Sequence, residues 1–261
     1  MSDCLKSRMR AGSAIVGCWI NLFDRLASEI VGQAGYDFAM IDLEHGPGDV
    51  MGAISVMQAL GSDCPALVRV PGNDPLWIKR VLDAGAEGVM VPAVNSREEA
   101  EAAAAACHYA PRGMRGMAAV IVRAANYGAD WQDYVRRIEE DVLVICQIET
   151  AKAVANAVEI ATVGDVDLLF IGPFDLSASM GYLGEPDHPE VRAAIAEVEA
   201  ATKEAGKLLG GIATPGRGAA ELLAAGYDLI LQDSDLTLLR ESARSSAAHL
   251  RKILRDSRAT G

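Results

Sequence analysis

Short apolar runs alternate with alanine-rich segments of helical periodicity along the whole chain. Runs of about four to eight residues rich in Val, Ile and Leu are typical of parallel strands that are buried on both faces. We predict strands over residues 15–22, 38–43, 66–70, 88–92, 142–148, 168–171, 208–212 and 229–231. Predicted helices follow them over residues 25–34, 50–60, 76–84, 97–109, 151–163, 189–205, 218–225 and 236–254. This strict alternation predicts an α/β fold, the closed (β/α)8 TIM barrel.

The length of the chain fits one barrel. Its 261 residues compare with the roughly 250 that such a fold needs, so we expect a single domain over residues 1–261. Residues 111–141 interrupt the alternation, and we predict an irregular segment there between the fourth helix and the fifth strand. A loop of that length inside a compact domain is usually functional or contacts a partner.

The composition of the chain favours a protein that binds or converts small molecules. The formal net charge is −12, and no Lys/Arg block is present, which argues against a nucleic-acid partner or an anionic membrane surface. The N-terminus lacks an apolar signal region, and no apolar run approaches the roughly 18 residues that span a bilayer, so we expect a cytoplasmic protein. The 5 cysteines form no CxxC pair, which predicts reduced thiols without disulfides or a zinc cluster.

Two neighbouring predicted strands each lead to a single carboxylate. Glu149 follows the fifth strand, and Asp175 follows the sixth strand after a Gly-Pro-Phe turn. The carboxyl ends of barrel strands carry the active site, and two anionic groups there suit a hard cation such as Mg2+ or Mn2+. Both residues also precede helix-like segments, so an alternative is that they only stabilise helix N-termini.

The segment between those carboxylates suggests an anion-binding turn. The backbone N–H groups of Gly172, Phe174 and Asp175 open onto a predicted helix start, where they are able to hold a ligand carboxylate. A metal beside such a turn describes a site for a 2-oxo acid.

Three further residues have candidate roles. His45 follows the second predicted strand, where it is compatible with a general base, a metal ligand or a loop residue without a role. Arg69 lies in an otherwise apolar strand and must meet an anion, either in a structural ion pair or on a substrate enolate. Asp83 is typical of a solvated helix residue unless the fold brings it to His45.

The segments around these residues resemble the HpcH/HpaI family of class II pyruvate aldolases. They span nearly the whole chain and cover residues 41–49, 68–74, 82–86, 147–150, 171–181 and 188–190. The resemblance implies an aldehyde-lyase that reversibly cleaves a 4-hydroxy-2-oxo acid to pyruvate and an aldehyde. Such an acid is 4-hydroxy-2-oxoheptanedioate or a 2-keto-3-deoxy sugar acid, and the implied cofactor is Mg2+, Mn2+ or Co2+.

The same resemblance implies a role for each candidate residue. Glu149 and Asp175 match the metal ligands, and His45 matches the catalytic base. Arg69 matches the arginine that stabilises the enolate, and Asp83 matches the acid that raises the basicity of the histidine. The implied substrate contacts are Gln147, Gly172, Pro173, Phe174 and Asp175.

Phe174 departs from the family, because many members carry a small residue there. Its side chain either narrows the pocket or turns away while only its backbone N–H contacts the ligand. The identity of the substrate therefore does not transfer from relatives.

The resemblance also implies a homo-oligomer, a hexamer built as a trimer of dimers, in which the C-terminal helix is exchanged between subunits. Two other functions stay open: a lyase of malyl- or citramalyl-CoA thioesters, and a metal-binding barrel without turnover. The first needs a basic surface for the nucleotide of CoA, and no basic cluster lies near the strand ends. A Schiff-base mechanism lacks its lysine, because Lys79, Lys152 and Lys203 fall on predicted helices and Lys207 enters the seventh strand at its opposite end.

Overall fold

The protein folds as a closed barrel of eight parallel strands in a computed structural model, which describes residues 4–259. The strands are β1 (Ile15–Ile20), β2 (Phe38–Asp42), β3 (Ala66–Arg69), β4 (Gly88–Val91), β5 (Leu143–Ile148), β6 (Leu168–Ile171), β7 (Leu208–Ile212) and β8 (Leu229–Ser234). Each strand pairs with the next, and β8 closes in parallel on β1. The predicted TIM barrel is confirmed.

Helices follow the strands around the outside of the barrel. They are α1 (Leu5–Arg10), α2 (Arg25–Gly32), α3 (Val50–Leu60), α4 (Pro75–Ala84), α5 (Arg97–Cys107), α6 (Trp131–Asp141), α7 (Ala151–Ala155), α8 (Ala157–Ala161), α9 (Pro173–Ser179), α10 (Pro189–Glu204), α11 (Ala219–Ala224) and α12 (Asp235–Ala259). Side chains that accept from a backbone N–H in the first turn mark several starts, including Asp24, Asp49, Asp74, Ser96 and Thr150. The predicted helix over residues 151–163 is divided at Asn156.

The prediction of an irregular segment over residues 111–141 was wrong for its last third. Residues Trp131–Asp141 form α6, which buries Tyr134 and Ile138 on one face. Trp131 and Val135, which are partly buried, pack beside them, so the apolar side chains of this helix follow helical spacing. The sequence carried this periodic signal, and the interpretation of the segment as a loop overlooked it. A short 3-10 turn, Arg123–Gly128, precedes α6.

The barrel interior is filled from its amino end upward. Inward-facing residues such as Ile15, Met40 and Leu67 form one apolar cluster, and Leu5 and Met9 of α1 pack against it from below. A second apolar layer lies between the strands and the outer helices. Because α1 closes the amino end, the open end is the one at which the strands finish.

Helix α12 leaves the barrel surface. Its exposed apolar side chains are Leu236, Leu238, Leu239, Leu250, Ile253 and Leu254. Within residues 4–259, no helix combines the length and apolar content required to cross a bilayer. All the cysteines are free thiols, and four of them are buried.

Candidate active site

The carboxyl ends of the strands surround an open cavity of about 280 Å³. The predicted site residues that line it are His45, Arg69, Gln147, Gly172, Pro173, Phe174 and Asp175. Glu149 lies directly behind two of these, with its carboxylate against Gly172 and Gln147. The structure therefore brings together every predicted site residue except Asp83.

Arg69 is locked in place by two carboxylates of the β2 end. Its Nε and one terminal nitrogen donate to Asp42 Oδ1 and Oδ2 at 3.0 and 2.8 Å, and its other terminal nitrogen lies 3.1 Å from Glu44 Oε2. The guanidinium also stacks 4.5 Å from the centre of the Trp19 ring. The ion pair that the sequence left open is thus present, and the arginine also lines the cavity. The role of Arg69 on a substrate enolate stays a prediction.

Asp42 accepts hydrogen bonds from several groups around the opening of the cavity. Besides Arg69, it accepts from Asn21 Nδ2 at 2.9 Å and from the backbone N–H groups of Glu44 and His45 at 3.1 and 3.2 Å. Burial opposes ionisation of this carboxyl, but the hydrogen bonds and charge of Arg69 hold its pKa below the usual value. Asp42 therefore stays anionic and sets the turn from which His45 projects.

His45 projects into the open part of the site. Its side chain is 64% exposed, and its Nε2 atom lies 3.8 Å from Glu44 Oε2. Glu44 thus stands between His45 and Arg69. Burial raises the pKa of Glu44, while the charges of Arg69 and His45 oppose that shift. An exposed imidazole beside a carboxylate is able to exchange a proton with a ligand in the cavity.

Glu149 is a buried carboxylate that lies near the negative charges of Glu44 and Asp175. It accepts from the Ala93 N–H at 2.8 Å and from the side-chain amide of Gln147. Burial, together with the charges of Glu44 and Asp175, raises the pKa of Glu149 to about 7. A cation placed among these carboxylates would relieve that repulsion.

The donor set around Glu149 fits a divalent cation with open positions. In the described chain, no three His, Cys, Asp or Glu side chains group as a ready metal cage. Glu149 and Asp175 alone leave room for water or substrate oxygens, as hard cations of this kind require. Gln147 adds a buried Oε1 acceptor that has no hydrogen-bond partner. These residues fit a metal together with an oxygen-rich ligand.

In the turn between β6 and α9, the backbone of Gly172 lies close to the buried Glu149 carboxylate. A Cβ on Gly172 would lie 2.8 Å from Gln147 Nε2 and 2.9 Å from Glu149 Oε2, so only glycine fits here. The Gly172 N–H donates to Ile148 O at 3.1 Å, and the expectation that it holds a ligand was wrong because the chain itself uses it. The N–H groups of Phe174 and Asp175 lie in the first turn of α9, where a helix offers them no acceptor.

Phe174 is one of the residues that line the cavity, beside Asp175, and it is 47% exposed. That its ring narrows the pocket stays a prediction.

Asp83 lies at the opposite end of the barrel from His45. It is the second-last residue of α4, and the chain continues from there to the start of β4 at Gly88. His45 instead follows the end of β2. Arg115 binds the Asp83 carboxylate at 2.8 Å. Within one chain, the expected contact between Asp83 and His45 does not form, because a helix that returns antiparallel to the strands ends at the amino end.

Sequence reasoning missed the roles of Asp42, Glu44, Trp19 and Ala93. The first two stand at the end of β2, beside His45, and no role was predicted for them. The structure shows that they hold Arg69. Trp19 and Ala93 act through a ring face and a backbone N–H, which no residue pattern reveals.

Comparison with known proteins identifies relatives over nearly the whole chain. The family model for HpcH/HpaI aldolase/citrate lyase matches residues 16–242. A pyruvate aldolase of Rhizobium etli is 40% identical over 93% of this chain and 95% of its own length. A 4-hydroxy-2-oxo-heptane-1,7-dioate aldolase of Shigella sonnei is 36% identical over 95% of both chains. The crystal structure of an HpcH/HpaI aldolase/citrate lyase family protein from Burkholderia cenocepacia superposes with a TM-score of 0.89 at 37% identity, covering 95% of this chain and 98% of that one.

Proposed function

Because the chain belongs to the HpcH/HpaI aldolase/citrate lyase family, we propose that it is a metal-dependent aldolase that reversibly cleaves a 4-hydroxy-2-oxo acid to pyruvate and an aldehyde. One observation carries the proposal. The buried Glu149 carboxylate, whose pKa burial and the charges of Glu44 and Asp175 raise to about 7, lies directly behind Gly172 and Gln147, which line the same cavity as Arg69. Such a cluster suits a cation and a developing anion held side by side.

Glu149 and Asp175 would hold the divalent cation. When bound, that ion supplies Lewis-acid polarisation of the 2-oxo group and stabilises negative charge on its oxygen. The identity of the metal, Mg2+, Mn2+ or Co2+, belongs to this proposal. The side chain of Gln147 would contact the 2-oxo acid through its unpartnered Oε1 or its amide, and the N–H groups of Phe174 and Asp175 would hold its carboxylate.

Arg69 would stabilise the enolate that forms when the C3–C4 bond breaks. Asp42 and Glu44 already fix its guanidinium before any ligand arrives, so no reorganisation is required at the moment of reaction. The guanidinium has five N–H donors, more than its three contacts with these carboxylates use. Because Arg69 also lines the cavity, we assign its remaining donors to the enolate oxygen.

His45 would take the proton of the 4-hydroxyl group. Its exposed ring reaches the open part of the cavity, and Glu44 at 3.8 Å stabilises the positive charge that the ring gains. The supporting role of Asp83 requires a second copy of the chain, because the two residues lie at opposite ends of one barrel. The proposed catalytic set is therefore completed by a subunit contact.

A homo-oligomer fits the surface of α12. The helix presents Leu238, Leu239, Leu250, Ile253 and Leu254 to solvent, and each is at least 42% exposed. Such an apolar stripe on a helix that leaves its own barrel is typical of a surface that a partner covers. We include a hexamer with exchanged C-terminal helices in the proposal, and the mass of the particle in light scattering tests it.

A pyruvate-release assay tests the activity. Protein stripped with a chelator should lose cleavage of 4-hydroxy-2-oxo acids and regain it with Mn2+ or Mg2+. Equal activity without metal, or a covalent adduct trapped by borohydride and pyruvate, would overturn the proposal. Trapping is not expected, because the residues that line the cavity include no lysine. Lys207 donates instead to three backbone carbonyls at the far end of the barrel.

The same assay separates the two alternatives. Release of product from malyl- or citramalyl-CoA, and none from the free acids, would indicate the thioester lyase. Metal binding without turnover of either class would indicate a binding barrel. The structure favours the aldolase over the thioester lyase, because His45 and Arg69 are the basic residues that line the cavity and Arg69 is already paired.

A further inference from the structure

A buried arginine lies outside the cavity, at the surface that carries Asp83. The side chain of Arg115 is 0% exposed, and one terminal nitrogen donates both to Asp83 Oδ1 and to the Tyr134 hydroxyl, each at 2.8 Å. Its Nε and other terminal nitrogen have no hydrogen-bond partner, although both are buried. Burying a cation with unmet donors is costly, so the chain retains Arg115 for something other than packing alone.

Aromatic rings and tight backbone contacts hold Arg115 still. Its guanidinium lies 4.8 Å from the centre of the Tyr109 ring, within cation–π range. The Arg115 N–H donates to His108 O at 2.9 Å. Two residues earlier, a Cβ on Gly113 would lie 2.3 Å from Ala105 O. The backbone from Gly113 to Arg115 thus packs tightly against the end of α5.

The helix does not explain the position of Asp83. The residue occupies the last turn of α4, where the helix dipole disfavours a negative charge. Its side chain is 19% exposed, so Arg115 holds one oxygen while part of the carboxylate stays open to the surface. A carboxylate fixed on one side and open on the other is suited to a second contact.

The surrounding surface is suited to contact with another chain. The segment that carries Arg115 exposes large apolar side chains, namely Met114 at 66%, Met117 at 52%, Val120 at 51% and Ile121 at 71%. Adjacent exposed apolar residues of this size mark association surfaces. Asp83 therefore stands beside a surface that a second copy of this chain can cover.

We infer that Arg115 is a positioning residue, which fixes the orientation of the Asp83 carboxylate for use by His45 of the partner subunit. The inference rests on the proposed function of Asp83. Tyr134 and Tyr109 in turn hold the guanidinium, one through its hydroxyl and the other through its ring face. A lysine at this position would keep the charge but lose the planar fork that defines the direction of the contact.

A double-mutant cycle on kcat tests this assignment. We expect Asp83→Asn and Arg115→Lys each to lower kcat by roughly tenfold or more, with the KM for the hydroxy-oxo acid nearly unchanged. The double variant should lose no more than Asp83→Asn alone, because Arg115 acts only through that carboxylate. Tyr134→Phe, which removes one acceptor and keeps the ring, should lower kcat by a smaller factor and also add nothing to Asp83→Asn.

Two outcomes would overturn the inference: wild-type kcat in Arg115→Lys, or a double variant whose loss is the product of the two single losses. A structural role alone predicts the multiplied loss. Wild-type kcat in Asp83→Asn would instead overturn the proposed role of Asp83. Arg112→Lys is the matched control, since Arg112 lies in the same segment and pairs with Asp165 at 2.8 Å. The melting temperature and the particle mass show whether each variant is folded. If Arg115→Lys does not fold, the kcat of Tyr134→Phe, alone and combined with Asp83→Asn, tests the inference instead.

Discussion

Arg69 and Asp42 meet side by side through two hydrogen bonds, Nε to Oδ1 at 3.0 Å and a terminal nitrogen to Oδ2 at 2.8 Å. Both residues are the last of their strands, and they are register partners in the pairing of β2 with β3. The barrel itself therefore aligns the guanidinium with the carboxylate. The orientation of Arg69 is set before a substrate binds, which is the condition for effective stabilisation of a developing oxyanion.

Arg69→Lys should remove this orientation and retain the charge. Lysine cannot form the two-point contact, so we expect kcat to fall by roughly 100-fold or more, the size of effect seen when an oxyanion donor is lost. Metal binding should stay within a few-fold of the wild type, since Arg69 is not among the proposed ligands. Steady-state kinetics and a metal titration by calorimetry measure both quantities. Loss of kcat and of metal affinity by the same factor would contradict the assigned role.

The raised pKa of Glu149 predicts a pH-dependent metal affinity. A cation must displace the proton that the carboxyl binds below a pH of about 7. We expect the apparent affinity for Mn2+ to rise by about tenfold per pH unit up to that pH and to level off above it. Isothermal titration between pH 5.5 and pH 8.5 would show the bend. An affinity that is flat across this range would show that the protonated group is not a ligand.

The buried Glu149 carboxyl should also make the stability of the metal-free protein depend on pH, and Glu149→Gln is the variant against which this dependence is compared. Because burial raises this acid's pKa from 4.5 to about 7, the metal-free fold should lose roughly 3 kcal/mol as pH rises through that interval, and no more above it. The glutamine variant lacks the buried charge, so its stability should fall by roughly 3 kcal/mol less than that of the wild type over the same interval. It should also lose the increase in melting temperature that metal gives the wild type. Urea unfolding of metal-free protein at both ends of the interval compares the two chains.

The alternation of apolar runs and helical segments was sufficient to predict the barrel, because buried parallel strands have few other compositions. It also located Glu149, Asp175, Arg69 and His45, since strand ends converge at one rim. The strand-end rule did not apply to Asp83, whose helix ends at the other rim. Nor does a residue pattern show that the Gly172 N–H is already used by Ile148 O. Such features depend on which backbone groups the fold itself consumes.

The separation of His45 from Asp83 within one chain predicts complementation between inactive subunits. Co-expressed His45→Ala and Asp83→Asn chains should form some sites that take His45 from one chain and Asp83 from the other. Random pairing would restore about a quarter of wild-type activity. Differently tagged chains, purified through both tags, allow the measurement. If the mixed particles are no more active than the average of the two parent variants, the site is not shared between chains.

Phe174 should set the size of the aldehyde that the enzyme accepts. The residue is 47% exposed and lines the cavity next to Asp175, so we expect Phe174→Ala to widen the cavity without removing a buried part of the core. We expect the ratio of kcat/KM for a long aldehyde over glycolaldehyde to rise by roughly tenfold in the synthetic direction with pyruvate. Phe174→Leu should give an intermediate ratio. Leu183→Ala, at a residue that is 82% exposed and outside the cavity lining, serves as the control. A ratio that is the same in all the variants would show that the aldehyde does not reach this wall, and that specificity lies with the β8 end or with a neighbouring chain.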